Sequence, residues 1–435
     1  MYLWRMPKKL FLAVLFALVY SGLFAQQIRA RKLEKIIANI PAFEPAHVGV
    51  AVQRLEENKL RVHRGENQYM TPASNTKLMT FLASVATFDQ IPMLLYQQDS
   101  TATTHFYPTA YPLLLHPFYG DSLLLSFLQK QKQLTYHPKP AAIPRLGPGW
   151  SWDDFSYYYS APPSAFPIYG NVIEVLPDAS KVTPFRQSTL LTIEEDPAAP
   201  VVLQRKEWSN TFIYNPTKHQ PTDSLYRPFL PSDSLFVELL GSALQKTIYI
   251  DSIEEPSTAL DTLFNTDPKP IYQALLRDSD NLVAESLMLM VGQQKTDTLS
   301  VAKAIAVLQE EWAFWLPDPI EWVDGSGVSR YNMVTPRTLV AVLQKIYTEL
   351  GLEGIQEYFP EGGVNGTLKA YSFDPNLKVF AKTGTLRHNH NLSGFFQGKR
   401  GHWYAFSIMV NHYTSSTTDI RKGIAQLLDA FYQKL

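Results

Sequence analysis

The chain has 435 residues and a formal net charge of −1, with no block of like charges, which excludes a nucleic-acid surface or a polybasic membrane patch. It contains no cysteine, so disulfides and acylation of a lipoprotein cysteine are both excluded, and the fold must be held by its core. With 13% aromatic residues and 31 prolines, it reads as a folded, loop-rich protein of about two or three domains.

Arg5, Lys8 and Lys9 ahead of the apolar run Leu10 to Phe24 predict a signal peptide over residues 1–25, with cleavage after Ala25; an uncleaved anchor is the alternative. Ile28, Leu33, Ile36, Ile37 and Ile40 have helical spacing. His47 to Val52 and Leu60 to His63 read as strands joined by a polar turn at 56–58. Pro72 suits a helix start, and Leu78, Phe81, Leu82 and Val85 continue the helical period, so Ser74 belongs at or near a first turn. About 200 residues separate Lys77 from Ser279, too many for a loop. Strand-like runs there, such as Val201–Leu203 and Thr247–Ile250, predict one inserted domain or two.

A helix over Leu282–Met290 follows. Leu377–Lys382, Leu392–Phe396 and Trp403–Val410 then read as strands, with 398–401 as a hairpin turn. Ile420, Ile424, Leu427, Leu428 and Phe431 line a closing amphipathic helix whose apolar stripe suits core packing better than a membrane. Both ends of the chain therefore build one antiparallel sheet flanked by helices, an α/β (α+β) class. The expected domains are 26–95 with 263–435, and an insertion over 96–262.

Three short motifs stand in order: Ser74-Asn75-Thr76-Lys77, Ser279-Asp280-Asn281 and Lys382-Thr383-Gly384. Ser-x-x-Lys also occurs at Ser300–Lys303, so no single match is informative. Together they supply what acyl transfer from an amide requires. Ser74 and Lys77 share one helix face, and Lys77 can take the serine proton if burial or a nearby cation such as Lys382 keeps it neutral. Ser279 offers a proton relay, and Asn281 a donor and acceptor for a substrate amide. Lys382 and Thr383 can hold a carboxylate, and Gly384 lets a peptide lie close to the sheet edge. Taken singly, Ser74 is as well read as a helix cap, and Ser279-Asp280-Asn281 as an Asx turn.

With these motifs the chain resembles the low-molecular-mass class C penicillin-binding proteins, the D-alanyl-D-alanine carboxypeptidase/endopeptidase family of peptidase S13 type; the trio itself is shared with class A β-lactamases. Gly149-Trp150-Ser151-Trp152-Asp153-Asp154 with Tyr157-Tyr158-Tyr159, the stretch Val323–Arg330, Gly363–Leu368 and Leu392-Ser393-Gly394 are similar to that family's other signatures. The resemblance implies a penicillin-recognising serine transferase fold and an acyl-enzyme on Ser74. It also implies an oxyanion hole of the Ser74 and Thr385 N–H groups, and peptidoglycan stem peptides as substrate with β-lactams as inhibitors. Asp154, Tyr159 and Arg330 would line a pocket for the stem's third residue, although Asp154 is equally well a cap or surface charge.

Arg387, His388 and His390 depart from the hydrophobic or small residues expected after the third motif, and bear on fine specificity. Neither a metal site nor a cofactor is expected. The implied location is periplasmic or secreted. A β-lactamase would need a deacylating base, for which Glu285 is the nearest carboxylate, and a silent cell-wall-binding scaffold is the third reading.

Overall fold

The computed structural model describes residues 30–435 apart from 56, 140, 142, 177–181, 185–188, 221, 223 and 252–258. The expected signal segment and Glu56 of the expected turn lie outside the described residues. Helix α1 (Ala30–Ala38) leads to strands β1 (His47–Arg54) and β2 (Leu60–Arg64). A 3₁₀ turn, Ala73–Thr76, then opens helix α2 (Lys77–Thr87). At the other end of the chain come β14 (Val379–Leu386), β15 (Asn389–Gln397) and β16 (Trp403–Asn411), followed by a last helix at Thr417–Tyr432. These strands form one antiparallel sheet in the order β14-β15-β16-β1-β2, so both ends of the chain do share it.

The sheet is apolar on both faces because each face is covered. Along β16, Tyr404, Phe406, Ile408 and Val410 join α1 and the last helix in one core. The alternate residues Ala405 and Met409 join the core that contains α2. This two-residue period with both sets buried is what a sheet between two helical layers demands.

Between α2 and the second motif lies a long segment with sheets of its own. Strands β3 (Ile91–Gln98), β4 (Thr103–Tyr107), β5 (Gln133–Tyr136), β12 (Ile248–Ile250) and β13 (Asp261–Asn265) make a second sheet, ordered β12-β5-β4-β3-β13, with helix α3 (Leu123–Lys130) lying between β4 and β5 in sequence. Two three-stranded sheets complete it: β11-β6-β7, from β6 (Val172–Val175), β7 (Val182–Thr183) and β11 (Leu225–Pro228), and β8-β10-β9, from β8 (Thr192–Glu195), β9 (Leu203–Arg205) and β10 (Thr211–Tyr214). Helix α4 (Asp233–Leu244) precedes β12. The strands that leave and re-enter the sheet-and-helix body, β3 and β13, pair antiparallel from Ile91↔Asn265 onward. The long segment between these two strands thus begins and ends at neighbouring points. The expected boundaries at 95/96 and 262/263 fall inside these two strands.

After β13 the chain forms α5 (Lys269–Leu276), α6 (Asn281–Thr296), α7 (Val301–Trp312) and α8 (Pro336–Tyr358); the last helix is α9 (Thr417–Tyr432). Helix α6 buries every residue from Leu282 to Gly292, so over those three turns it is a core helix, while its last turn reaches solvent. Among the described residues no helix is long and apolar enough to cross a membrane.

Candidate active site

The three motifs converge where α2, α6 and β14 meet. Ala73 has φ +50° and Ser279 φ +63°, left-handed conformations that disfavour side-chain-bearing residues and persist where surroundings over-determine them. Ser74 lies on the 3₁₀ turn ahead of α2 and makes no side-chain cap, so the helix-cap reading of this serine fails. Its neighbour Asn75 ties the turn to the sheet. Asn75 Nδ2 donates to the Lys382 carbonyl at 2.7 Å, and its Oδ1 accepts from Ser393 Oγ at 3.0 Å.

Lys77 Nζ is fully buried and has three partners: Asn281 Oδ1 at 2.6 Å, the Ser326 carbonyl at 2.6 Å and Ser74 Oγ at 3.2 Å. Burial lowers its pKa to about 8, against the opposing pull of the carboxylates of Asp324, Glu285 and Asp280. The orientation of Asn281 is fixed independently, because its Nδ2 donates to the Tyr159 carbonyl at 2.7 Å. Asn281 Oδ1 and the Ser326 carbonyl can only accept. A neutral amine has two hydrogens and one lone pair, so those two acceptors take the hydrogens and the lone pair is left facing the Ser74 hydroxyl.

Lys382 is equally buried. Its Nζ lies 2.8 Å from Ser279 Oγ and 2.9 Å from the Thr383 carbonyl. Burial first and the Lys77 charge second push its pKa well down. Ser279 is therefore held by Lys382 and makes no hydrogen bond with Lys77. Thr383 Oγ1 bonds Thr367 Oγ1 at 2.8 Å. Two glycines permit the close approach. A Cβ on Gly384 would sit 2.4 Å from the Pro72 carbonyl, and one on Gly327 would sit 2.0 Å from the Ala73 carbonyl at φ +81°.

Two buried carboxylates set the Ser326 turn. Glu285, buried on α6, accepts from the N–H groups of Ser326 at 2.8 Å and Gly325 at 3.2 Å. Burial and the nearby charge of Asp324 raise its pKa. Asp324 itself accepts from Gly327 N, Ser329 N, Asn332 Nδ2 and Trp150 Nε1, at 2.6–2.9 Å. These contacts hold the turn whose carbonyl receives Lys77.

The insertion supplies one wall. Tyr159 donates its hydroxyl to Asp154 Oδ1 at 2.8 Å and stacks on Tyr157 with ring centroids 5.6 Å apart. Its carbonyl is the one that orients Asn281, so this wall reaches the three-motif cluster through the backbone. Arg330 bonds through its N–H to the Gly149 carbonyl at 3.2 Å. Its side chain is exposed and has no partner among the described residues. Tyr158 donates to Asp280, which also caps α6 by accepting from Val283 N at 2.9 Å. Buried His116 lies 3.8 Å from the same carboxylate.

The model of the D-Ala-D-Ala carboxypeptidase 3 (S13) family matches residues 29–92 and 232–431, which include all three motifs. The chain belongs to this family. Its enzymatic class is that of a serine-type D-Ala-D-Ala carboxypeptidase. D-alanyl-D-alanine carboxypeptidase DacB of Haemophilus influenzae is 22% identical over 442 residues, covering 88% of this chain and 89% of the relative. The crystal structure of penicillin-binding protein 4 from that organism superposes with a TM-score of 0.70 at 20% identity, over 92% of this chain and 98% of that one. Its complex with a β-lactam gives 0.64 at 19% identity, with the same coverage. A predatory peptidoglycan endopeptidase from Bdellovibrio bacteriovorus gives 0.52 at 14% identity, over 89% and 93% of the two chains. These likenesses establish a mixed helix and antiparallel-sheet fold of the penicillin-recognising kind.

Ser300 and Lys303, the second Ser-x-x-Lys, are elsewhere in the family's fold: Ser300 caps α7 by accepting from Lys303 N at 3.3 Å, and the lysine is exposed. Sequence reasoning missed Tyr158, His116 and the fixing role of Asp324. The last was within reach, because an aspartate before Gly-Ser-Gly has several N–H groups at hand to accept from. His388 and His390 also separate. His388 sits at the exposed hairpin tip against the Tyr413 carbonyl at 3.0 Å, while His390 is buried.

Proposed function

We propose that the protein removes terminal D-alanine from peptidoglycan stem peptides, or opens their D-Ala cross-links, through an acyl-enzyme on Ser74. The observation that carries this reading is Lys77 Nζ 3.2 Å from Ser74 Oγ with two other partners that can only accept, an arrangement in which the neutral amine turns its lone pair to Ser74. Lys77 takes the hydroxyl proton as Ser74 Oγ attacks the D-Ala carbonyl. The developing oxyanion is received by the N–H groups of Ser74 and Thr385, and the closeness of Gly384 to the Ser74 turn supports that pairing.

The substrate's terminal carboxylate docks at Lys382, beside Thr383, whose own hydroxyl hydrogen goes to Thr367. An anion there favours the charged form of Lys382, and the restored cation presses Lys77 further toward neutrality. Substrate binding thus arms the base. Ser279 hands its proton to the leaving D-alanine nitrogen and takes one in turn from the Lys382 ammonium 2.8 Å away, so the Ser74 proton ends on Lys77; Asn281 aligns the substrate amide. Asp154, Tyr159 and Arg330 border the stem's third residue. We further assign the insertion to residues between β3 and β13, and the mature enzyme to the periplasm or cell exterior, with β-lactams as acylating inhibitors.

Glu285 disfavours a β-lactamase reading, since both its oxygens accept from backbone N–H groups and it packs behind Lys77. The test is D-alanine release from a stem pentapeptide and from a cross-linked stem dimer, comparing wild type with Ser74→Ala. Release abolished by the substitution supports the proposal. Release unchanged in Ser74→Ala, or none from either substrate by folded wild type, contradicts it.

A further inference from the structure

Behind the third motif runs a buried hydrogen-bond chain that the mechanism above does not use. Thr385 and His390 are directly opposite in the β14–β15 register, and Thr385 Oγ1 lies 2.7 Å from His390 Nδ1. The other ring nitrogen, Nε2, lies 2.6 Å from the hydroxyl of Tyr371. Tyr371 and His390 are 3% and 1% exposed, whereas Thr385, next to the third motif, is exposed. Burial and the facing guanidinium of Arg421 on α9 lower the His390 pKa to about 3, so the ring is neutral and carries one proton.

The direction of the chain follows from the donor count. Among the described residues, the Tyr371 hydroxyl has no acceptor other than His390 Nε2. If Nε2 carried the ring proton, the tyrosine hydrogen would be buried without a partner, at a cost a folded core avoids. Tyr371 therefore donates to Nε2, and the ring proton resides on Nδ1 and is donated to Thr385 Oγ1. With that lone pair engaged, the threonine's own hydrogen points away from His390. Run in reverse, the chain would take the threonine hydrogen inward and present only lone pairs to an incoming carboxylate.

We propose that Tyr371 and His390 are positioning residues that fix the Thr385 hydroxyl as a hydrogen-bond donor to the substrate's terminal carboxylate. This rests on the carboxypeptidase reading above. Thr383 and Thr385 are two apart on β14 and so share a face. Thr383 Oγ1 is engaged with Thr367, which leaves Thr385 as the hydroxyl whose hydrogen is directed by a buried chain. Neither Tyr371 nor His390 touches the reacting atoms; both act through Thr385.

The test compares wild type with Tyr371→Phe, which deletes one hydroxyl and keeps the ring stacked on Phe373 at 5.3 Å. The substrates are an N-acylated peptide ending in D-Ala-D-Ala and its C-terminal methyl ester. Without the tyrosine hydrogen, His390 is free to change tautomer. The expected result is an about three- to tenfold fall in kcat/KM for the acid, carried by KM, with the ester unaffected. In a Thr385→Val background, Tyr371→Phe then has no further effect. An equal fall on both substrates, no fall on the acid, or full additivity with Thr385→Val overturns the proposal. The tautomer of His390 in the wild-type enzyme, read by ¹⁵N NMR of histidine-labelled protein, is independent of how any variant folds. Protonation at Nδ1 supports the proposal and protonation at Nε2 overturns it. Failure of wild type both to release D-alanine and to be labelled by a penicillin would overturn the peptidase reading, and this one with it.

Discussion

The acylation rate should carry the titration of Lys77. Its pKa is about 8, so about a tenth of it is neutral at pH 7 and about nine-tenths at pH 9. A base that works only when neutral gives a rate rising about tenfold over that interval, or less if a bound ligand moves the titration lower. The informative quantity is the acylation rate constant at saturating benzylpenicillin, since it reports the complex. There the ligand carboxylate favours charged Lys382, which lowers Lys77 further. The half-maximal rate therefore falls at or below about pH 8. Stopped-flow fluorescence from pH 5.5 to 10 measures it. Lys77→Arg, which keeps the charge but has no lone pair to offer at these pH values, should acylate at least about a thousandfold more slowly. A half-maximum near the ordinary lysine value of 10.5, or wild-type acylation by Lys77→Arg, would refute the assignment of Lys77 as base.

Three further outcomes follow from the contacts. Tyr158→Phe leaves Asp280 with His116 at 3.8 Å as its remaining buried partner outside the cap. Denaturant unfolding should show a loss of about 1–3 kcal/mol, and kcat should fall modestly, because Asp280, the residue before Asn281, loses one of its contacts while the Tyr159 carbonyl still holds Asn281. Gly327→Ala puts a Cβ against the Ala73 carbonyl at 2.0 Å; penicillin labelling should drop much more steeply than the Tm, because the displaced residue adjoins Ser74. Ser300→Ala removes only a helix cap, so unfolding should show about 1 kcal/mol of destabilisation while acylation is unchanged.

Much of the catalytic body was legible because its signals are local. The alternation along β14, β15 and β16 and the stripe of α9 follow directly from burial on both sides of a sheet. The three motifs were legible by order, since each alone is ambiguous and Ser300–Lys303 is indeed only a cap. What the sequence could not show was how distant parts meet. The Tyr159 carbonyl on Asn281 is a backbone contact, and backbone contacts leave no residue-type signature. Tyr158 and Tyr159 are neighbours with equal side chains, yet one faces Asp280 and the other Asp154. Nothing in residue type or spacing told His388 and His390 apart, but the β-hairpin turn places His388 outside and His390 inside. The insertion's limits were blurred because β3 and β13 pair with each other, and pairing between strands so far apart in the chain has no local mark.

The central claim is that Ser74 forms the acyl-enzyme, and the most direct measurement is peptide mapping after acylation. The protein is incubated with benzylpenicillin, digested with trypsin and analysed by mass spectrometry. The account predicts a penicilloyl adduct on the peptide Gly65–Lys77, on Ser74 alone, and absent from Ser74→Ala. An adduct on another serine, or its persistence in Ser74→Ala, would contradict it.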